Sequence, residues 1–204
     1  MVLNITRLSP RFISCGFFVL LVTSCAIFES PPVPSVTNSD RDGLYALAAW
    51  SLDGRIGIRS RHDSLQASLL WQHQGEMEKL RIAGPFGQGA VSIEYSEKFI
   101  RILHADGNIE ESNRPEDLLN SLLGVSLPVS AMRYWVLGIS YPFAQAVEEF
   151  DEGGKLKTLK QLGWEINYKR FSLVENWVLP QKLEANNGNN RVKLFVDEWS
   201  IVKP

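Results

Sequence analysis

Residues 43–204 predict a mainly β domain, an antiparallel meander with a few short helices packed on, or inside, a curved sheet. Three observations carry this expectation. Apolar and polar residues alternate through most of the segment, which is the mark of strands with one buried face. Clusters of Gly, Asn and Asp recur at hairpin spacing. Two apolar helical stripes sit between an earlier and a later run of strands.

The elements follow in order. Asp42 to Ala49 reads as a short helix feeding the first strand. In that strand Trp50, Leu52, Ile56 and Ile58 share one parity and Arg55 and Arg59 the other. Leu65, Ala67, Leu69 and Trp71 repeat the pattern. Leu80 with Ile82, then Val91, Ile93 and Tyr95, then Phe99 to Leu103 continue it. Arg114 to Leu123 reads as a helix, with Asn113 as N-cap, Glu116 at N3 and Gly124 as the stop. Leu118, Leu119, Leu122 and Leu123 form its stripe. Pro128 to Leu137 is a further helix, with Met132, Trp135 and Val136 on one side and Gly138 ending it. Strands resume at Leu156–Leu159, at Trp164, Ile166 and Tyr168, and at Val192, Leu194 and Val196. Turn signals stand at Gln74-Gly75, Ala105 to Asn108, Glu152 to Gly154 and Asn186 to Asn189.

The N-terminus is of another kind. Arg7 and Arg11 precede a short apolar run, Phe12 to Val22, below the ~20 residues that a spanning helix needs. Small residues then lead into Cys25, a pattern that resembles the bacterial lipobox. It implies cleavage before Cys25 and lipidation of that residue. Three parts are expected: a cleaved signal peptide (1–24), a lipid anchor with a flexible Pro-rich linker (25–42) and a folded domain (43–204). The residue after the cysteine is Ala26 rather than the Asp that resembles an inner-membrane retention signal, so the outer membrane is the expected destination. Loss of Arg7 and Arg11 moves the formal net charge from −2 to −4. No run of Lys and Arg is present, which argues against a nucleic-acid partner and against strong attraction to anionic head groups. Membrane attachment then rests on the lipid. Cys15 falls in the signal, so the mature chain has no disulfide and no thiol chemistry.

Catalytic chemistry finds little support. His62, His73 and His104 share no metal-ligand spacing, and no nucleophile elbow, P-loop or dinucleotide motif occurs. Glu148, Glu149, Asp151 and Glu152 abut Gly153-Gly154 and read as a solvated hairpin end. Six tryptophans suit either core filling or the lining of an apolar cavity for acyl chains. Gly84-Pro85-Phe86-Gly87-Gln88-Gly89 specifies a shaped loop. Phe86 at its tip either folds back onto the sheet or stands out as an apolar finger that enters a membrane.

Taken together, these pieces resemble the LolB family of outer-membrane lipoprotein receptors. The resemblance runs from Cys25 to the C-terminus. It is carried by the lipobox, Asp53-Gly54-Arg55, Leu70-Trp71-Gln72, Gly84-Pro85-Phe86-Gly87 and Asp106-Gly107. Further matches are Leu118-Leu119 ahead of Gly124, Leu127-Pro128-Val129 leading to Tyr134–Gly138, Gln161-Leu162-Gly163-Trp164 and Trp199. The resemblance implies an incomplete antiparallel β-barrel whose helices cover an apolar cavity. It implies no enzyme activity and no cofactor or metal. The implied role is to accept acylated lipoproteins from the periplasmic carrier LolA and place them in the inner leaflet of the outer membrane. It makes Gly84, Pro85, Phe86 and Gly87 a delivery loop, with Phe86 where the family usually has Leu. Trp71, Leu118, Leu119, Leu122, Met132, Trp135 and Trp164 are the cavity candidates. The expected chain is a lipid-anchored monomer facing the periplasm, in contact with outer-membrane lipids. The alternative is an anchored binding module for lipopolysaccharide or a peptidoglycan-associated ligand.

Overall fold

The computed structural model describes residues 33–61 and 63–201, with the backbone alone at Asn38 and Ser39. Cys25, His62, the signal segment and the linker as far as Pro32 lie outside the described residues. Among those described, eleven strands form one antiparallel sheet: β1 Ala49–Arg59, β2 Ser64–Gln74, β3 Met77–Ala83, β4 Val91–Ser96, β5 Phe99–Leu103, β6 Ile109–Ser112, β7 Ala146–Phe150, β8 Leu156–Gln161, β9 Trp164–Val174, β10 Trp177–Asn186 and β11 Arg191–Ile201. The spatial order is β6-β5-β4-β3-β2-β1-β11-β10-β9-β8-β7. β1 therefore sits at the centre and pairs with the last strand. The outermost strands β6 and β7 do not pair with each other, so the sheet curves without closing.

The two helices α2 (Pro115–Leu123) and α3 (Val129–Trp135) join β6 to β7 and pack on the inner face. Alternation works as the sequence expects. Trp50, Leu52, Ile56 and Ile58 point inward from β1, and Ala67, Leu69 and Trp71 from β2. Val192, Leu194, Val196 and Trp199 do so from β11. The Trp50 ring lies 5.4 Å from Trp71 and 5.6 Å from Trp199, tying three adjacent strands through aromatic pairs worth about 0.5–1.5 kcal/mol each beyond their burial. The β1–β11 register shifts between Asp53 and Gly54 because Asp197 is an extra, bulged residue in β11, and past it the inward parity of β11 changes so that Trp199 faces the core as Val196 does. A Cβ on Gly54 would run into the Phe195 carbonyl oxygen, so the close approach of the two backbones requires glycine.

Several local expectations change. The first helix, α1, spans Asn38–Tyr45 rather than Asp42–Ala49, and Ala49 already belongs to β1. Thr37 and Asp40 form a capping box, with the Thr37 side chain accepting from the Asp40 N–H at 3.3 Å and the Thr37 N–H donating to Asp40 Oδ2 at 2.8 Å. The helix thus starts inside the segment read as linker. Val36, still earlier, donates its N–H to the Gly153 carbonyl at 2.8 Å. α2 is capped by Arg114 and not Asn113. No side-chain cap bond forms, because the Arg114 guanidinium has no acceptor to offer the free N–H groups, while Pro115 at the first helical position brings no N–H of its own. Gly124 ends α2 in the left-handed conformation, as its position suggests. α3 is shorter than the expected Pro128–Leu137, although Gly138 does adopt a positive φ after it. β6, β7 and β10 carry no clean alternation. β10 is masked in the sequence by Pro180, which cannot donate to the ladder and sits where the β9–β10 register shifts.

Candidate functional site

The loop between β3 and β4 is a single 3₁₀ turn, Pro85–Gly87. Gly84 donates its N–H to the Gln88 carbonyl at 2.9 Å and accepts from the Gly87 N–H at 3.0 Å, closing the loop on itself. Phe86 sits at φ 60°, ψ 21°, a left-handed conformation rare for a bulky residue, and its side chain is wholly exposed. The fold-back alternative is thereby ruled out. The loop holds a phenyl ring in water, where burial on a partner would recover about 1.5–3 kcal/mol.

The helices cover an apolar core. Inside it remains a cavity of about 20 Å³, lined by Ile56, Leu69, Met132, Trp135, Trp164 and Leu194 among others. That is room for about one water and far below the volume of an acyl chain. Of the sequence candidates, the structure brings Trp71, Met132, Trp135 and Trp164 together around this cavity. Leu118, Leu119 and Leu122 do not line it. Leu119 is buried on the α2 side, and Leu118 and Leu122 pack half-buried against the same core. Of the six tryptophans five are buried, and Trp177 is half-buried against α1 at Gly43.

The two helices are held by different chemistry. α3 and the chain after it are fastened to the sheet by polar bonds. The buried Gln161 amide oxygen accepts from Trp135 Nε1 at 2.9 Å and the Tyr141 N–H at 2.8 Å. Its Nε2 donates to the carbonyls of Tyr141 and Ala144, each at 2.8 Å. Tyr168 donates its hydroxyl to the Trp135 carbonyl at 2.9 Å. Burial, with Glu148 nearby, drives the Tyr168 hydroxyl pKa above its ordinary value. α2 has no side-chain hydrogen bond to a strand among the described residues. Ser130 donates to Glu116 at 3.1 Å and the Leu127 N–H donates to Asn120 at 2.8 Å, so α2 is joined to α3 and its loop. Its hold on the sheet is apolar contact, which is non-directional and can slide or part.

A second buried polar group sits at the other end of the core. Glu78, 2% exposed, accepts from Trp71 Nε1 at 2.7 Å and bonds His73 Nδ1 at 2.7 Å, with Arg133 of α3 at 4.0 Å. Tyr95 stands on the adjacent strand, and burial, with Glu116 and Glu78 nearby, pushes its hydroxyl up to about 12. Sequence reasoning missed this cluster and Gln161. The available signal was parity: Glu78 shares the inward register of Leu80 and Ile82, and Gln161 that of Leu159. His73 is a hydrogen-bonded core residue. Among the described residues no cluster of His, Cys, Asp and Glu suits a metal. The acidic group of the β7–β8 hairpin is only partly solvated, because Glu148 is half-buried and pairs with Arg41 of α1 at 2.8 Å.

An open antiparallel sheet wrapped round an apolar core under short helices is a LolA-like fold. It is similar to the crystal structure of a LolA superfamily protein from Nitrosomonas europaea, with a TM-score of 0.50 at 6% identity over 81% of this chain and 92% of that one. The family model described as outer membrane lipoprotein LolB matches residues 48–199. A Marinomonas sp. (strain MWYL1) protein named outer-membrane lipoprotein LolB is 32% identical over 90% of this chain and 94% of its own length. One of the same name from Pseudomonas aeruginosa is 31% identical over 87% of each. The chain belongs to the LolB family.

Proposed function

We propose that this protein is a non-enzymatic receptor of the outer membrane. It takes acylated lipoproteins from a LolA-like carrier and passes them into the membrane, held there by lipid on Cys25. The observation that carries the proposal is Phe86, fully exposed at the tip of a self-closed loop. Acyl chains would enter between the sheet and α2. The closed core has no space for them, so acceptance means parting α2, which among the described residues lacks side-chain hydrogen bonds to a strand. Apolar area exposed by that opening is covered again by the chain at about 25 cal/mol per Å². Release is downhill because the bilayer offers the chain the same apolar surroundings while the helices reclose over the core. No helix among the described residues is long and apolar enough to cross a membrane. The family role in lipoprotein localisation, the LolA-like fold and the open sheet support this reading. It is tested by mixing cargo-loaded carrier with this protein and vesicles without nucleotide. Cargo should move to the protein and then to the vesicles; cargo that stays on the carrier refutes the proposal.

A further inference from the structure

On the outer face of the sheet, beside the Phe86 loop, the register assembles a basic surface from residues far apart in sequence. Arg59 of β1 lies directly opposite Arg191 of β11, Gly57 opposite Lys193, and Arg55 opposite Phe195. All four cations are exposed. Like charges facing each other across a ladder destabilise a sheet, so the Arg59–Arg191 pair has a cost that folding does not explain. Among the described residues two carboxylates are bonded to this group. Asp197 takes Arg55 at 2.7 Å, and Glu184 is shared by Arg191 at 2.7 Å and Lys193 at 3.6 Å. No carboxylate among the described residues pairs with Arg59. Lys182 adds a further cation, 4.7 Å from the Phe195 ring centre.

The surface is also hollow. A groove of about 530 Å³ runs from Arg55, Ser68, Lys193 and Phe195 to the loop residues Pro85 and Phe86. A second hollow of about 440 Å³ continues it between Arg59, Ser64, Arg191 and Lys193. Gly57 forms the floor between them, and a Cβ there would touch nothing within 4 Å. The groove therefore joins an apolar finger at one end to a cluster of cations at the other.

We propose that this outer face is a second membrane contact, a seat for the phosphate head groups of anionic phospholipid in the membrane that Phe86 enters. This rests on the delivery role of Phe86 proposed above and adds an electrostatic half to it. The chemistry fits: a ring beside a row of guanidinium and ammonium groups matches a bilayer surface, acyl chains beyond a layer of phosphates. Arginine takes phosphate oxygens bidentately, and the overall negative charge of the chain leaves this patch as a local exception. It orients the domain, so that the loop meets lipid tip first and the helix-covered face stays clear for the carrier.

The test uses the mature chain without its lipid, residues 26–204, which retains the compact unit from Pro32 onward. Binding is measured by co-flotation with vesicles of phosphatidylethanolamine and phosphatidylglycerol, and with vesicles of phosphatidylcholine alone. Each charge lost should weaken binding to the anionic vesicles by about five-fold, so R59Q/R191Q should lose about 25-fold. The same variant should bind phosphatidylcholine and accept cargo as the parent does, and its thermal stability should hold, because relief of the like-charge pair offsets loss of the Arg191–Glu184 ion pair on the surface. Inorganic phosphate at matched ionic strength should not compete; if it displaces the vesicles, the site takes a free anion. Unchanged binding of R59Q/R191Q to anionic vesicles overturns the proposal, as does loss of cargo acceptance, which would make the face an acidic carrier's dock. Phe86→Glu keeps the two ideas separate. If it abolishes delivery while R59Q/R191Q binds normally, the finger stands and the phosphate seat falls.

Discussion

Gln161→Leu removes the clamp that fastens the chain after α3 to β8 while nearly preserving side-chain volume. Four hydrogen bonds go at once, two to the amide oxygen and two from the amide nitrogen. The four partners do not suffer equally. Trp135 is 3% exposed, so its indole N–H is stranded without water, a loss of about 1–3 kcal/mol. Tyr141 and Ala144 are half-buried and regain solvent, so their three bonds cost about 0.5 kcal/mol each, at the low end for such bonds. An apolar leucine recovers part of the total, because no amide is desolvated. The expected loss is about 2–4 kcal/mol, which lowers the melting temperature of a domain this size by roughly 2–4 °C per kcal/mol. Urea unfolding followed by tryptophan fluorescence reads it directly, since Trp135 and Trp164 flank the site. Amide exchange at Tyr141 should rise more than exchange in β1 or β11. A stability change below about 0.5 kcal/mol, the range of an ordinary surface substitution, would refute the claim that these bonds anchor α3.

Phe86→Glu should fold with stability within about 0.5 kcal/mol of the parent, take cargo and fail to deliver it, since a charge at bilayer depth costs roughly 2.5–3.5 kcal/mol. Phe86→Leu should deliver, and a vesicle-transfer assay separates the two. Gly54→Ala should destabilise by about 2 kcal/mol or more in chemical denaturation, because its Cβ meets the Phe195 carbonyl in the central strand pair. Stability should fall from about pH 10 upward as the unfolded tyrosines ionise, because the folded Tyr95 holds its proton until about 12. Tyr95→Phe should flatten that fall, and ionisation of Tyr95 in the folded protein near pH 10 would contradict it. Cys25→Ala in the precursor should leave no lipid on the N-terminus by mass spectrometry; a lipidated N-terminus at another residue would refute Cys25 as anchor.

The strands that fill the core were legible because their side chains alternate over long runs, without interruption in β1 and β2 and as far as Val196 in β11. Gly124 and Gly138 marked their helix ends because only a left-handed residue stops a helix there cheaply. The start of α1 was written in Thr37 and Asp40 but lay beside prolines that read as linker. Glu78 and Gln161 were hidden because polar residues are taken as outward unless parity is followed through them. The Phe86 loop was recognisable as shaped, but whether its ring faced in or out depended on packing that no local pattern encodes. The basic face was beyond sequence reading altogether. Arg59 and Arg191 are separated by most of the chain, and only the β1–β11 register makes them neighbours.

The gap between β6 and β7 has a consequence for elasticity. A closed barrel has a fixed circumference, so its interior can widen only by breaking a ladder. An open sheet changes curvature by small adjustments of twist between each neighbouring pair, and every backbone bond survives. Such a sheet swells around a guest and tightens behind it, like a sleeve with an unsewn seam. Two bare edges invite other strands to add to them. Each edge here carries adjacent glutamates, Glu110 with Glu111 on β6 and Glu148 with Glu149 on β7. Joining β6 of one copy to β7 of another would bring four carboxylates together, so the seam stays free to flex without becoming a place where copies stitch into fibres.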